Sequence, residues 1–154
     1  MKARKHLLIV YHSQSGNTAR LADAVMSGCR RVDEVDSRML RAADAGTSEL
    51  LDCDGLILGT PENFGYMSGA LKDFFDRTYY PCEGKLTGLP YALFVSAGND
   101  GSGAVREVAR IAAGYGWKLA AEPVIVRGPI GDAAIANCDE LGEAMASGIA
   151  LGVF

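Results

Sequence analysis

The chain has 154 residues, of which 49% are hydrophobic, and a formal net charge of −4. This length allows one well-buried core and is too short for two ordinary domains, so we expect a single domain over residues 1–154. The acidic balance argues against nucleic acid as a partner, because phosphate backbones are bound by basic surfaces.

The two ends of the chain and its cysteines indicate where the protein works. The basic start, residues 1–6, leads into an apolar run that stops at Val10, too early for a signal-peptide core. Residues 141–154 are apolar but fall short of the ~20 residues that span a bilayer. The four cysteines and two histidines lack the spacing of a zinc or iron–sulfur site. We therefore expect a cytoplasmic protein with no membrane partner and no metal.

Apolar runs predict the strands of a sheet that is covered on both faces. Residues 7–11 form the first run, and residues 56–58 and 91–95 repeat it. Residues 35–39 alternate apolar and polar side chains, which is typical of a half-exposed edge strand. A last strand over 123–126 must have its proline at the start, at an edge or at a bulge, since proline cannot donate to a sheet ladder.

Between these runs the apolar period changes to that of helices. The first helix is predicted to begin near Thr18, the third to end before Pro81, and the fourth to end at the glycines around Tyr115. Asn137 and Glu140 have the spacing of a capping box, which would open the last helix. Strands and helices alternate about five times, which predicts an α/β fold with a doubly wound five-stranded parallel sheet.

In such sheets, ligands bind beyond the carboxyl ends of the strands, so the loops after the first, third and fourth strands are candidates. The first loop reads Ser13-Gln14-Ser15-Gly16-Asn17-Thr18. Short polar side chains, a flexible glycine and the free N–H groups of a helix start can hold a phosphate without Lys or Arg. Taken alone, the same residues also fit an ordinary helix cap. His12, just before this loop, is expected to be a hydrogen-bonded polar residue at the strand end.

The other two loops add features that a flat ring requires. The second contains Pro61-Glu62-Asn63-Phe64-Gly65-Tyr66, in which the aromatics offer an apolar wall and Glu62 or Asn63 either bonds the ring edge or stays solvated. The third, Ala97-Gly98-Asn99-Asp100-Gly101, lets the backbone approach closely. A phosphate cradle, an aromatic wall and a glycine loop suit a mononucleotide with a large ring, and FMN fits that description. Asp100, if near the ring, would disfavour a negatively charged reduced flavin.

These motifs resemble those of the flavodoxin-like family, and within it those of the small flavodoxin-fold FMN and quinone reductases. The first loop matches the family's S/T-x-S/T-G-N-T pattern, and residues 60–72 are similar to the reductases' flavin loop and following helix. The resemblance runs from Leu7 to the last helix. It implies the strand order 2-1-3-4-5 and FMN as the cofactor. By the same resemblance, Ser13, Ser15, Asn17 and Thr18 hold the phosphate, Pro61 to Tyr66 flank the isoalloxazine, and Ala97 to Gly101 approach its pyrimidine side.

Two functions stay open. As a reductase, the protein would take electrons from NADPH or NADH through flavin N5 to a quinone, a flavin or a similar small-molecule acceptor, with no dedicated catalytic acid or base. As a carrier, it would pass electrons to a redox-partner protein. Carrier flavodoxins usually have a Tyr and acidic residues in the third loop, which this chain replaces by Gly98-Asn99-Asp100-Gly101. With 19 acidic against 15 basic residues, the acidic bias is weak. We favour the reductase, and a homo-oligomer is left open.

Overall fold

The computed structural model describes residues 3–154 and contains one parallel sheet with helices on both faces. The strands are β1 (Lys5–Tyr11), β2 (Val35–Arg41), β3 (Gly55–Pro61), β4 (Pro90–Ala97), β5 (Lys118–Leu119) and β6 (Val124–Arg127). The helices are α1 (Asn17–Cys29), α2 (Thr47–Asp52), α3 (Gly69–Cys82), α4 (Ser102–Tyr115) and α5 (Asp132–Leu151). The order β2-β1-β3-β4-β5 confirms the predicted doubly wound, flavodoxin-like sheet.

The fifth position of the sheet is filled by two short strands. β5 pairs with the start of β4, and β6 pairs with its end, where Phe94 lies opposite Val124 and Ala97 opposite Arg127. Pro123 stands immediately before β6, so its missing N–H interrupts no ladder within that strand. The break brings an extra strand end, Arg127, to the carboxyl edge of the sheet.

Burial follows the apolar runs. The middle of β1, residues 7–10, and all of β3 up to Thr60 are buried, because helices cover both faces. β2 is the half-exposed edge strand that its alternation predicts, with Val35 buried and Asp36 exposed.

Two cores lie on opposite faces of the sheet, one under α2, α3 and α4 and the other under α1 and α5. The second core depends on a backbone contact between its helices. A Cβ added at Gly28 would lie 1.9 Å from the carbonyl oxygen of Asp139, and one at Gly142 would lie 2.0 Å from that of Val25. All four cysteines are free and buried, and burial raises the pKa of the Cys53 thiol to about 12, as in a structural thiol.

Two helix boundaries differ from the sequence prediction. The capping box at Asn137 and Glu140 is wrong: α5 already begins at Asp132, and both residues lie exposed on its surface. The buried stripe starts only at Cys138, so its pattern marks the packed part of the helix rather than its first turn. Pro81 lies inside α3, one residue before the helix ends at Cys82, where boundaries commonly shift by a residue or two.

No helix among residues 3–154 is both long enough and apolar enough to cross a membrane.

Candidate cofactor site

The carboxyl ends of β1, β3 and β4 bring the three candidate loops to a single open cleft of about 260 Å³. We call it the rim cleft. It is lined by Ser15, Asn17, Pro61, Glu62, Ser96, Ala97, Gly98 and Gly128. Six of these residues lie in the predicted loops. Ser96, at the end of β4, opens the polar turn noted in the sequence but was not among the predicted ligands. Gly128 was missed, because the candidate loops were only those after the first, third and fourth strands.

The first loop, residues 13–18, presents an uncapped helix start. Gly16 precedes α1 with a φ of 99°, and no side chain among the described residues caps the first turn of the helix. The N–H of Gly16 itself donates to Ser13 Oγ at 3.1 Å, which curls the loop back on itself. Since no acidic side chain occupies the first turn either, its N–H groups and the positive end of the helix dipole are free for an anion.

The four predicted phosphate ligands divide into two pairs. Ser15 and Asn17 are exposed and line the rim cleft. Ser13 is bonded within the loop, and Thr18 is buried with its hydroxyl 2.8 Å from Ser96 Oγ. Ser13 therefore shapes the loop and Thr18 ties it to the end of β4, while Ser15 and Asn17 offer side chains to a ligand.

The second loop, residues 61–66, is fastened to the start of α4. Glu62 accepts hydrogen bonds from the N–H of Gly101 at 2.9 Å and from that of Ala104 at 3.1 Å. Each carboxylate oxygen thus accepts one hydrogen bond at the start of α4, and the half-buried Glu62 side chain also lines the rim cleft. The carboxylate also faces the positive end of the α4 dipole, which stabilises a negative charge there. Glu62 therefore caps α4 from a distant loop.

A backbone contact also holds the second loop against α4. We call this contact, together with the hydrogen bonds of Glu62, the α4 joint. A Cβ at Gly103, in the first turn of α4, would lie 2.1 Å from the carbonyl oxygen of Gly65. Only a glycine at this position lets the second loop lie directly on the helix, and Gly103 is buried there.

The tip of the second loop is a tight two-residue turn. The N–H groups of Asn63 and Tyr66 each donate to the other's carbonyl, at 2.8 and 3.0 Å. Phe64 and Gly65 form the turn with φ values of 53° and 72°. The Phe64 ring is fully exposed, whereas Tyr66 packs against the core. The Asn63 side chain donates to Gln14 Oε1 at 3.1 Å, which joins the second loop to the first.

The third loop, residues 97–101, is supported by β6. Gly101 has a φ of 81°, and a Cβ there would lie 2.4 Å from the Ile125 side chain. The N–H of Gly128 donates to the Ala97 carbonyl at 2.8 Å, and Arg127 Nε donates to the Asp100 carbonyl at 2.8 Å. Ser102 Oγ donates to the Asp100 carboxylate. The loop's outer surface, at Gly98 and Asn99, is exposed.

His12 differs from the expectation that its side chain is hydrogen-bonded. Its main-chain N–H donates to the Gly59 carbonyl at 3.1 Å, but the buried Nδ1 has no partner within the described part of the chain. No group of three or more His, Cys, Asp or Glu residues within 3–154 has an arrangement that could hold a metal ion.

These features fit a phosphorylated ligand with a flat ring. The uncapped α1 supplies the anion site, and a Cβ at Gly98 would meet nothing within 4 Å, so the third loop leaves room for a ring to approach its backbone.

Comparisons with known proteins agree with this geometry. A family model described as NADPH-dependent FMN reductase matches residues 17–124. A curated protein named flavodoxin from Aquifex aeolicus (strain VF5) is 32% identical over 97 residues, which are 63% of this chain and 52% of that protein. The chain therefore matches about half the length of this relative.

Solved structures share the fold over nearly the whole chain. A flavodoxin from the domain Archaea superposes with a TM-score of 0.81 at 23% identity, covering 94% of this chain and 98% of the other. The two-electron reduced flavodoxin of Megasphaera elsdenii superposes with a TM-score of 0.78 at 26% identity, covering 92% and 98%.

Proposed function

Because the chain belongs to the NADPH-dependent FMN reductase family, we propose that it is an FMN flavoprotein that acts as an NAD(P)H-dependent reductase. The observation that carries the proposal is the uncapped start of α1, which opens into the same cleft as the second and third loops. Such a helix end is a ready site for a phosphate, and a ring attached to that phosphate would lie between the other two loops.

Each loop has a distinct task in this proposal. The first-turn N–H groups of α1, with the side chains of Ser15 and Asn17, bind the phosphate. Residues 61–66, held on α4 by Glu62, form one wall of the ring site, and the backbone of residues 97–101 forms the edge next to the pyrimidine. FMN, when bound, supplies the chemistry of accepting a hydride at N5.

The third loop favours a reductase over a carrier. Gly98 and Asn99 are exposed and carry no aromatic ring that would cover a flavin from this side. A face left open lets a nicotinamide place its reacting carbon ~3 to 3.5 Å from the ring, which is the distance that hydride transfer requires. The electrons would then pass to a small acceptor such as a quinone or a free flavin at the same face.

The second candidate function is an electron carrier, and the similarity to a protein named flavodoxin favours it. In that case the open face would be used by a redox-partner protein, and no nicotinamide would bind there.

Anaerobic mixing separates the two functions. The purified protein should carry FMN, visible in its absorption spectrum, or take it up when FMN is added. Bleaching of the flavin by NADPH or NADH within seconds is the result expected of a reductase. If neither nucleotide reduces the flavin while dithionite does, the protein is a carrier. A protein that binds no FMN contradicts both functions.

A further inference from the structure

Arg127, the last residue of β6, lies beside the loop assigned to the pyrimidine end of the flavin. It stands opposite Ala97 in the sheet, and the next residue, Gly128, donates its N–H to the Ala97 carbonyl at 2.8 Å. Two main-chain features therefore fix where the Arg127 side chain begins, one residue from the rim cleft that Gly128 lines.

The side chain then lies against the third loop. Its Nε donates to the Asp100 carbonyl at 2.8 Å, so the guanidinium is held next to residues 97–101. Of its nitrogens, only Nε makes a hydrogen bond to another part of residues 3–154, and the guanidinium is exposed. The remaining N–H groups can donate to a ligand.

Arg127 forms no direct ion pair with the nearby carboxylates in the part of the chain that the structure describes. Arg127 takes part in none of the ion pairs found within residues 3–154. The Asp100 carboxylate accepts from Ser102 Oγ, and the Glu62 carboxylate accepts from the N–H groups of Gly101 and Ala104 at the start of α4. Both acidic side chains thus bond to groups at the start of α4, and the charged group held beside the third loop without an ion-pair partner among residues 3–154 is the Arg127 guanidinium.

We propose that Arg127 stabilises the negative charge that the pyrimidine end of FMN acquires on reduction, so that the protein binds reduced FMN more tightly relative to oxidised FMN than it would without this cation. The inference rests on the proposed FMN site and assigns a tuning role to a residue outside the three predicted loops. A hydride taken up by the neutral ring brings one negative charge, and a cation nearby lowers the free energy of that form. In this inference the charge that acts on the pyrimidine end of FMN is the positive charge of Arg127, whereas the sequence analysis considered the negative charge of Asp100.

The size of the effect follows from the exposure of Arg127. A unit charge several ångströms away, partly screened by water, changes the ratio of affinities for reduced and oxidised FMN by about three- to tenfold. The midpoint potential reports the same ratio, at about 30 mV for each factor of ten in a two-electron reduction.

The test compares three variants of the FMN-loaded protein by anaerobic redox titration against a reference dye. Arg127→Gln removes the charge, and Arg127→Lys retains it. Arg110→Gln makes the same charge change at an exposed position of α4, about two helical turns after the start of that helix. Affinity for oxidised FMN and the melting temperature are measured on each variant, so that a general loss of structure is recognised.

We expect Arg127→Gln to lower the relative affinity for reduced FMN by about three- to tenfold, and Arg127→Lys to keep most of it. Arg110→Gln should leave the ratio unchanged. In the unmutated protein, raising the salt concentration should reduce the preference for reduced FMN, because an exposed charge is screened.

Three results would overturn the inference while leaving the FMN site intact: Arg127→Gln and Arg110→Gln shift the ratio equally, the Lys variant behaves like the Gln variant, or the ratio is insensitive to salt. An unmutated protein that binds no FMN would instead overturn the proposed function, and this inference with it.

Discussion

The starts of α1 and α4 have similar local structure, but only one of them has its N–H groups bonded by another part of the protein. Each helix begins at the same edge of the sheet, directly after a glycine in the left-handed region, Gly16 with a φ of 99° and Gly101 with a φ of 81°. Neither has a side-chain cap from its own N-cap residue. The first turn of α1 is left open, whereas that of α4 is filled by the carboxylate of Glu62.

The difference shows that a helix start is available to a ligand only when no other part of the protein satisfies its N–H groups. At α4 the free N–H groups and the helix dipole are used to hold the second loop in place. At α1 the same groups stay available to a phosphate. One helix end therefore binds the cofactor in our proposal, and the other positions the wall against which its ring would lie.

The strongest way to break this comparison is Gly103→Ala, which acts on the α4 joint. The new methyl group would lie 2.1 Å from the Gly65 carbonyl oxygen, so the second loop must move off the helix. We expect a loss of about 1 to 3 kcal/mol in the free energy of unfolding, measured in urea, and at least tenfold weaker FMN binding.

Gly114→Ala is the matched control, because it lies in the same helix and its Cβ would have only a Tyr79 ring atom, at 3.8 Å, within reach. It should be neutral or stabilising by up to about 1 kcal/mol, since alanine favours a helix over glycine. Equal losses in both variants would mean that the contact with Gly65 is not what holds the loop.

A milder break is Glu62→Gln, which keeps the shape of the side chain and removes its charge. An amide has one acceptor oxygen, so one of the two N–H groups, of Gly101 or Ala104, loses its partner. We expect a loss of about 1 to 2 kcal/mol in the free energy of unfolding and weaker FMN binding, while inorganic phosphate at α1 binds unchanged.

Glu140→Gln on the exposed surface of α5 is the control, and its effect should stay within about 0.5 kcal/mol. If Glu62→Gln weakens phosphate binding as much as FMN binding, the two helix starts are not independent.

Gly16→Ala tests the other helix start in the comparison, that of α1. A Cβ at this position meets no atom within 4 Å, so the cost comes from the φ of 99° alone. We expect a loss of about 1 kcal/mol in the free energy of unfolding, and weaker binding of both FMN and inorganic phosphate as the loop relaxes. Urea unfolding and ligand titration measure the two effects.

Gly84→Ala provides a second strained glycine with the same open surroundings, at a φ of 75°, away from the rim cleft. It should cost similar stability and leave both affinities unchanged. Weaker phosphate binding in that variant would mean that general destabilisation, not the first loop, governs affinity.

The sequence was sufficient for the sheet: apolar runs such as residues 7–10 located strands whose burial the structure confirms, and the family resemblance implied the strand order that is observed. It also placed the three loops at one edge, since parallel strands end together. It could not reveal the joint at α4. Glu62 and Ala104 are 42 residues apart, and a carboxylate in a polar loop carries no mark of the distant N–H groups that it will meet.

The same limit applies to the supports of the third loop. The contact of Arg127 with Asp100 requires that the fifth strand be broken, so that β6 ends level with β4. The sequence placed a last strand near these residues but not its register. Local patterns determine where strands and helices form, whereas contacts between loops depend on how those elements finally align.

The smallest effect on stability is expected at the tip of the second loop. A substitution there sharpens the comparison, because it tests the contact of the loop with the ring separately from the attachment of the loop to α4. Phe64 is fully exposed, so Phe64→Ala should change the free energy of unfolding of the apoprotein by less than about 0.5 kcal/mol. If the ring stacks on the flavin, FMN binding should weaken by about two- to tenfold, the usual worth of an aromatic pair. Tyr80→Ala removes another exposed aromatic, from the far end of α3, and should leave FMN affinity unchanged even if the loss of its edge-on contact with Tyr79 lowers stability slightly. Unchanged FMN affinity in Phe64→Ala would leave Tyr66 and the backbone as the wall, and would place the loop's contribution entirely in the joint that Glu62 and Gly103 form with α4.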